Sequence, residues 1–202
     1  EKDLESMNLG DMIFTSLRFA TACGWSSRLR LDLVLNDFVA CAITSGKITV
    51  LSDGTPWRPL IDVEDMSRAI DWAINRKKHS GGQYLVVNTG NNSSNYQVKQ
   101  IANSVAKLIP ETKILINKNA LPDNRSYSVD FTKYQQLAKE FQPIISLDQS
   151  IVRLKENLIK IKFSNLNFRE STLMRLNTLK KHIQEGRIDQ NLRWKIYSQA
   201  TK

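Results

Sequence analysis

The chain has 202 residues, of which 41% are hydrophobic and 24% are charged, a balance typical of a globular protein with a buried core. No apolar run approaches the ~20 residues of a membrane span and no leader pattern opens the chain, so we expect neither a membrane protein nor an exported one. Cys23 and Cys41 lack a paired spacing, which argues against a disulfide framework and favours a reducing cytoplasm.

Strand and helix patterns alternate along the first part of the chain. Residues 12–19 are apolar on both faces and rich in strand formers, which is typical of a strand inside a parallel sheet. A helix is predicted over 31–44 and closed by Gly46, and a short strand follows at 47–51. The Asp-Gly pair at 53–54 then predicts a turn.

A second helix and a second strand follow this turn. Asp62 stands at an N-cap position, and one face of the helix is predicted to pack inward, with apolar residues at helical spacing down to Arg76: Val63, Met66, Ile70, Ala73 and Ile74. Residues 84–88 are again apolar on both faces. Asn95 is the predicted cap of a helix over 96–109 that stops at Pro110.

This alternation predicts α/β layers with a parallel sheet. Only two strands are apolar on both faces, whereas an open doubly wound sheet usually has about five or more, so we expect further strands from outside this sequence. From residue 130 onward the pattern is helical, with a capping box at 146–149.

The positive charge is concentrated at the end of the chain. Residues 151–202 hold 12 Lys/Arg and 4 Asp/Glu, and so carry eight of the nine net positive charges. Such asymmetry can indicate a nucleic-acid or acidic partner, or a solvated helical face. We favour the solvated face, because no aromatic residues alternate with the charges as base stacking would require.

Motifs for a reactive centre are absent from the sequence. It has no Gly-rich phosphate loop, no P-loop and no cluster of metal ligands, and His79 and His182 stand alone. The remaining candidates are Asn36 on an apolar helix, Arg58 in a strand-like run, and a polar loop at 123–127. A half-buried guanidinium at Arg58 needs an anionic partner, and an internal carboxylate and a ligand phosphate both satisfy that need.

The order of the segments resembles the extended short-chain dehydrogenase/reductases that act on nucleotide sugars, over roughly residues 1–160. The segments that carry the resemblance are LRFATACG at 17–24, RLRLDLVLNDFV at 28–39, ITVLSDGTPWRPLIDVED at 48–65, VNTG at 87–90 and DNRSYSVD at 123–130. Taken in the same order, these segments are similar to five elements of the family. The elements are a strand beside the nicotinamide, a helix over the diphosphate, an arginine-bearing strand, the last strand of the cofactor sheet and a substrate loop.

The resemblance implies roles for single residues. Arg58 and Arg125 would grip the substrate diphosphate from two sides, Asn36 would donate a hydrogen bond to it, and Asp123 would hold ribose or phosphate. Ala20, Thr21 and Ala22 would lie beside NAD. The family usually has His where this chain has Asp62, a position that mainly caps the helix.

The resemblance also implies a fold class and a domain organisation. We expect an α/β chain with the last strands of a Rossmann-type parallel sheet, a smaller α/β substrate-binding domain and a helical C-terminal tail. The implied segments are the end of the NAD-binding domain (1–24), a substrate-binding segment (25–61), the returning helix and strand of the Rossmann domain (62–90), the substrate-binding domain (91–160) and a basic helical extension (161–202).

The implied activity is that of an NAD-dependent sugar-nucleotide epimerase or dehydratase acting on a nucleoside-diphosphate sugar in the cytoplasm. The Gly-rich NAD turn and the Tyr-x-x-x-Lys pair of that family are not in this sequence, so we expect them from an N-terminal half in the same or a second chain. A homodimer is compatible with the family. The alternative is a non-enzymatic protein that uses its basic tail to bind nucleic acid or an acidic partner.

Overall fold

The structure is a computed structural model that describes residues 1–8, 10–120 and 125–195. Helices and strands alternate through the first two thirds of the chain, and helices dominate the last third. The elements in chain order are α1 (Lys2–Ser6), β1 (Phe14–Phe19), β2 (Thr21–Cys23), α2 (Val34–Ser45), β3 (Lys47–Val50), β4 (Trp57–Asp62), α3 (Val63–Asn75), β5 (Tyr84–Thr89), β6 (Asn95–Gln97), α4 (Val98–Leu108), β7 (Lys113–Ile116), α5 (Thr132–Leu137), α6 (Leu147–Lys160) and α7 (Arg175–Gln184).

The strands form small, mainly parallel sheets. β1 pairs with β5 in parallel, with Phe14 opposite Tyr84 and Phe19 opposite Thr89. β4 lies between β2, which runs parallel to it, and β6, which runs antiparallel. β3 pairs with β7 in parallel. The predicted α/β architecture with parallel strands is therefore confirmed.

The two larger apolar clusters hold most of these elements together. The larger one packs α2, α4 and α6 around β3, with fully buried Leu35, Val39, Ile101, Leu154 and Leu158. The second packs α3 and α5 against β1 and β5, where the rings of Trp72 and Tyr134 meet edge to face at 5.4 Å. Edge-to-face aromatic contacts of this kind add to the area that they bury.

Local signals place several element ends correctly. α2 ends at Gly46, whose φ of 64° is the left-handed conformation that glycine adopts without strain. The Asp62 side chain caps α3 by accepting a hydrogen bond from the Glu64 N–H. The predicted capping box at Ser146 and Gln149 opens α6. The predicted start of α2 at residue 31 is too early, because Leu33 is extended and the helix begins at Val34.

The prediction that Asn95 caps a helix is wrong. Residues 95–97 are extended because β6 pairs with the start of β4, and Asn95 lies opposite Pro59 in that pair. The Asn95 side chain instead accepts from the N–H of Val129 and donates to its carbonyl. The helix begins only at Val98, after a capping box made by Gln97 and Gln100.

Helix α3 packs one face inward as predicted, but the buried face is not the one that the sequence predicts. Its buried residues are Asp65, Ala69 and Trp72, whereas Ile70 and Ile74 are 45% and 77% exposed. The exposed face forms an open apolar groove of about 400 Å³ against the start of β1, lined by Met12, Ile13, Phe14, Thr15, Leu17, Ile70, Ala73 and Ile74. We call this surface the β1–α3 groove.

The basic end of the chain contains α7, which has no fully buried residue, and a hairpin after it. In the hairpin Ile188 pairs with Trp194 in an antiparallel bridge, and the Trp194 ring lies 5.5 Å from His182 on α7. Across the parts of the chain that the structure describes, none of the helices has the length and apolar character of a membrane span.

Candidate functional site

The central strand β4 carries the arginine that the sequence singles out. Arg58 is half-buried, and its Nη1 donates to the carbonyl oxygens of Trp57 and Arg125, both at 2.7 Å. Its Cζ lies 6.0 Å from the centre of the Tyr127 ring. The strand therefore fixes the base of this side chain, while the 125–127 segment lies against its guanidinium.

The 125–127 segment runs alongside the start of β4. The Trp57 N–H donates to Ser126 Oγ at 3.0 Å, and the Tyr127 N–H donates to the Trp57 carbonyl at 3.4 Å. Arg125, the second predicted arginine, is thereby brought next to Arg58 although 67 residues separate them in sequence. The contact is made by the Arg125 carbonyl, and the Arg58 guanidinium offers the paired N–H donors that suit a diphosphate.

The residues predicted to lie beside the cofactor occupy the carboxyl end of β1. Ala20 is buried, and its N–H donates to the Thr89 carbonyl of β5 at 2.9 Å. Thr21 and Ala22 are half-buried at the start of β2. Thr21 Oγ1 lies 3.3 Å from the Tyr127 hydroxyl, so this strand end and the 125–127 segment are in contact.

This strand end fits a dinucleotide ring by its chemistry and its place. Ligands of open α/β sheets bind outside the carboxyl ends of parallel strands, and β1 and β5 both end here. Ala20 and Ala22 have small side chains that leave the backbone approachable, and Thr21 supplies one hydroxyl. These residues are therefore suited to one side of an NAD site.

Asn36 lies deeper than the sequence suggests. It is 2% exposed on α2, its Oδ1 accepts from the Gly24 N–H, and its Nδ2 donates to the carbonyls of Gly24 and Arg30. The amide thus fixes the loop between β2 and α2. Donation by Asn36 to a diphosphate stays a prediction, and it requires one of these bonds to be exchanged.

Asp123, the fourth predicted substrate residue, lies outside the described residues. Its neighbour in sequence, Arg125, is described and is placed by its carbonyl contact with Arg58. The predicted role of Asp123 on ribose or phosphate stays a prediction.

Two buried carboxylates, Asp62 and Asp65, join the start of α3 to distant parts of the chain. Asp62 accepts from Ser150 Oγ at 2.5 Å, and Gly24 lies so close that a side chain there would collide with its carboxylate. Asp65 is 1% exposed and accepts from the N–H groups of Ile144 and Ile145, both at 3.0 Å. Burial raises the pKa of both carboxyl groups above the ordinary aspartate value.

The two cysteines show the marks of structural residues. Burial raises the pKa of Cys23 to about 12 and that of Cys41 to about 11, so both thiols stay protonated near neutral pH. Both are free. Within residues 1–8, 10–120 and 125–195, no His, Cys, Asp and Glu side chains gather into a group that could hold a metal ion.

Sequence reasoning missed Tyr127 and the packing role of Asp65. Tyr127 contacts Thr21, which is 106 residues away, and Asp65 bonds the backbone near residue 144. Neither contact has a local sequence signal. The first-turn position of Asp65 indicates only a favourable interaction with the positive end of the helix.

The layered arrangement defines a Rossmann-type α/β protein, and comparison with known proteins narrows the class. Residues 4–90 match the family model described as the NAD dependent epimerase/dehydratase family. The matched part includes Ala20, Thr21, Asn36 and Arg58, and the match confirms the resemblance inferred from the sequence.

Solved structures of nucleotide-sugar enzymes share the fold. MoeE5 in complex with UDP-glucose and NAD is 19% identical with a TM-score of 0.64, and the match covers 79% of this chain and 52% of that one. UDP-glucuronic acid 4-epimerase from Bacillus cereus, in complex with UDP-glucuronic acid and NAD, is 19% identical with a TM-score of 0.59, covering 72% and 45%. TunA, an NAD-dependent NDP-hexosamine 5,6-dehydratase, is 15% identical with a TM-score of 0.64, covering 82% and 50%. The chain spans about half the length of these structures.

Proposed function

We propose that this chain is the nucleotide-sugar-binding part of an NAD-dependent sugar-nucleotide epimerase or dehydratase. The observation that carries the proposal is the meeting of Arg58, Arg125 and Thr21 through the 125–127 segment. Arg58, which is suited to a diphosphate, and the backbone of Arg125 thus adjoin the strand end suited to NAD. The family match and the similar structures solved in complex with UDP-sugars and NAD support the same conclusion.

In this proposal the chain binds and orients the substrate. Arg58 and Arg125 hold the diphosphate, Asn36 fixes the loop that leads into α2, and the sugar extends towards Thr21. NAD, when bound, supplies the hydride acceptor for the sugar carbon. The tyrosine and lysine that move the sugar proton in this family would come from the segment that completes the sheet.

The β1–α3 groove supports the need for such a segment. Within the described part of the chain β1 pairs with β5 alone, and residues of β1 line the groove. A free strand edge next to exposed isoleucines is a surface that proteins normally cover. A further parallel strand with its helix would pair with β1 and bury Ile70 and Ile74.

We further propose that the chain divides into segments of the Rossmann domain and segments that bind the substrate. Residues 1–24 and 62–90 would form the last strands of the Rossmann domain, and 25–61 and 91–160 the substrate-binding part. The two larger apolar clusters agree with this division in part: one contains β1, β5 and α3 and the other contains α2, α4 and α6, but α5 of the 91–160 segment packs in the first.

The first prediction concerns the cofactor. Without a Gly-rich phosphate turn the 202-residue chain alone should neither bind NAD nor turn over a sugar nucleotide. Absorbance and mass analysis of the purified chain would detect carried-over cofactor, and stoichiometric NAD on the chain would contradict the proposal. The coding sequence upstream of Glu1 is an independent check, because it either encodes a Gly-rich turn and a Tyr-x-x-x-Lys pair or does not.

The second prediction concerns the alternative function, a non-enzymatic protein that binds nucleic acid or an acidic partner through the basic end of the chain. Arg187, Arg193 and Lys195 lie on the hairpin with exposed Trp194, but Arg187 is already paired with Glu185 at 2.9 Å. We expect no micromolar binding of single-stranded or duplex nucleic acid. Fluorescence anisotropy across a salt series measures this.

A steep loss of affinity with salt would instead reveal phosphate neutralisation and favour the alternative. The double variant Arg193→Ala/Lys195→Ala is the control, since it removes hairpin charges and leaves the Arg58 site unchanged. A salt-dependent affinity that this variant abolishes would assign nucleic-acid binding to the hairpin.

A further inference from the structure

The segment between α6 and α7 folds back onto helix α2. We call residues 163–174 the C-terminal strap. The Phe168 side chain is 2% exposed and belongs to the larger apolar cluster, and Phe163 packs against that cluster with its ring centre 6.0 Å from that of Phe168. Leu173 and Met174 pack against the same cluster. The strap is therefore a packed part of the fold.

An ion pair attaches the strap to the first turn of α2. Arg169 Nε donates to Asp37 Oδ1 at 2.9 Å, and Arg169 Nη2 donates to Asp37 Oδ2 at 2.8 Å. The same Nη2 lies 3.2 Å from the Cys41 sulfur, one turn further along α2. Because a planar guanidinium here meets both oxygens of one carboxylate, the pair fixes orientation as well as distance.

The strap also bonds the loop that leads into α2. We call residues 24–33 the β2–α2 loop. The N–H of the fully buried Leu31 donates to the Leu173 carbonyl of the strap at 3.1 Å. Asn36, which precedes Asp37 on α2, bonds backbone groups of the same loop. Two adjacent residues of α2 thus join the loop and the strap to one turn of the helix.

The β2–α2 loop lies on the ligand side of its sheet. It follows Cys23 at the carboxyl end of β2, and β2 runs parallel to β4 with Cys23 opposite Asp62. Ligands of α/β sheets bind beyond the carboxyl ends of parallel strands. A displacement of this loop would therefore change the candidate site on that side.

We propose that Arg169 is a positioning residue that, through Asp37, holds the β2–α2 loop in the conformation that binds the nucleotide sugar. The choice of ligand rests on the proposed function, whereas the coupling of strap and loop rests on the contacts described above. The effect of Arg169 passes through the first turn of α2 and through the Leu173 carbonyl. The C-terminal strap thus contributes to substrate affinity from outside the site.

The third prediction tests this coupling with Arg169→Ala, which removes both donors of the ion pair. The amides of Gly24 and Leu31 should exchange about 2- to 10-fold faster than in the wild-type chain, because the loop opens more often. The Kd for the sugar nucleotide should rise about 2- to 10-fold at a temperature at which both proteins are folded. Arg169→Lys keeps the charge without the paired N–H groups, so it should recover part of both effects.

Hydrogen exchange followed by NMR measures the first effect. Calorimetric titration of the 202-residue chain with UDP-glucose, ADP-glucose and GDP-mannose measures the second. The double variant Asp37→Ala/Arg169→Ala should resemble Arg169→Ala in both, since the two substitutions remove one and the same interaction.

Arg187→Ala is the matched control. It removes the same charge from a side chain of similar exposure, 56% against 52%, and its partner Glu185 lies at the end of α7. The exchange of Gly24 and Leu31 and the Kd should both stay at the wild-type values in this variant.

The two readouts separate the coupling from the proposed function. Unchanged exchange at Gly24 and Leu31 in Arg169→Ala would overturn the coupling. Faster exchange and a lower melting temperature with an unchanged Kd would overturn the positioning role and leave a purely structural one. Faster exchange in a chain that binds none of the three probes would retain the coupling of strap and loop, and would overturn its role in substrate binding together with the proposed function.

Discussion

Replacing Arg58 by alanine should weaken nucleotide-sugar binding by about 2 to 4 kcal/mol, or roughly 30- to 1000-fold in Kd. A diphosphate shielded from water needs fixed cationic donors, and a guanidinium offers paired N–H groups that match phosphate oxygens. In the fold, β4 positions the base of Arg58 and the Trp57 and Arg125 carbonyls orient its Nη1. Lysine offers one mobile charge, so Arg58→Lys should recover only part of the affinity.

Binding and stability must be measured together to interpret this variant. If Arg58 mainly serves an internal carboxylate, the alanine variant will lose melting temperature while its folded fraction keeps its affinity. If Arg58 holds the ligand, affinity falls while most of the melting temperature is retained. Arg18→Ala is the control, because Arg18 pairs with Glu1 on the exposed surface and should affect neither quantity strongly.

Replacing Asp65 by alanine should produce the largest loss of stability, about 2 to 5 kcal/mol. The Asp65 carboxylate accepts from the Ile144 and Ile145 N–H groups, and the variant leaves both donors without this acceptor beneath α3. For a chain of this length the loss corresponds to roughly 5 to 15 °C in melting temperature. Denaturant titration and thermal melts measure it.

Asp71→Ala is the matched control for Asp65. Asp71 lies on the same helix and is exposed, and within the described part of the chain its carboxylate accepts from Asn75 Nδ2. Its loss should stay within about 0.5 kcal/mol. Equal losses in the two variants would contradict the structural role given to Asp65.

The pH dependence of the Asp65 effect has a definite sign. Burial raises the pKa of Asp65 in the folded protein, although the two backbone N–H groups oppose that rise. The folded state therefore retains a proton that the unfolded state releases, and this contribution to stability is present in acid and lost as pH rises through the raised pKa. The difference in the free energy of unfolding between wild type and Asp65→Ala should accordingly narrow as the pH rises through the raised pKa of Asp65.

The features predicted correctly from sequence depend on nearby residues. Gly46 ends α2 because a left-handed residue is needed there, and Asp62 and Ser146 cap helices through N–H groups two and three residues away. The features predicted wrongly depend on distant partners. Asn95 joins a strand because β4 is beside it, and Ile74 is exposed because Ala69 and Trp72 occupy the buried face.

The same distinction applies to the candidate site. The segment order identified Arg58, Arg125 and Thr21 separately, but only the fold shows that the 125–127 segment joins them. Tyr127 has no motif around it, since its partners are distant in sequence. Asn36 was identified as a polar residue on an apolar helix, and its bonds to Gly24 and Arg30 depend on a loop conformation that no sequence pattern gives.

Calorimetric titration of the 202-residue chain with a nucleoside-diphosphate sugar is the most direct test of the central claim. The account predicts saturable binding at one site per chain in the absence of NAD, and its loss in the folded Arg58→Ala variant. Either of two results would contradict it: no binding of UDP-glucose, ADP-glucose or GDP-mannose by a folded chain, or unchanged affinity in Arg58→Ala.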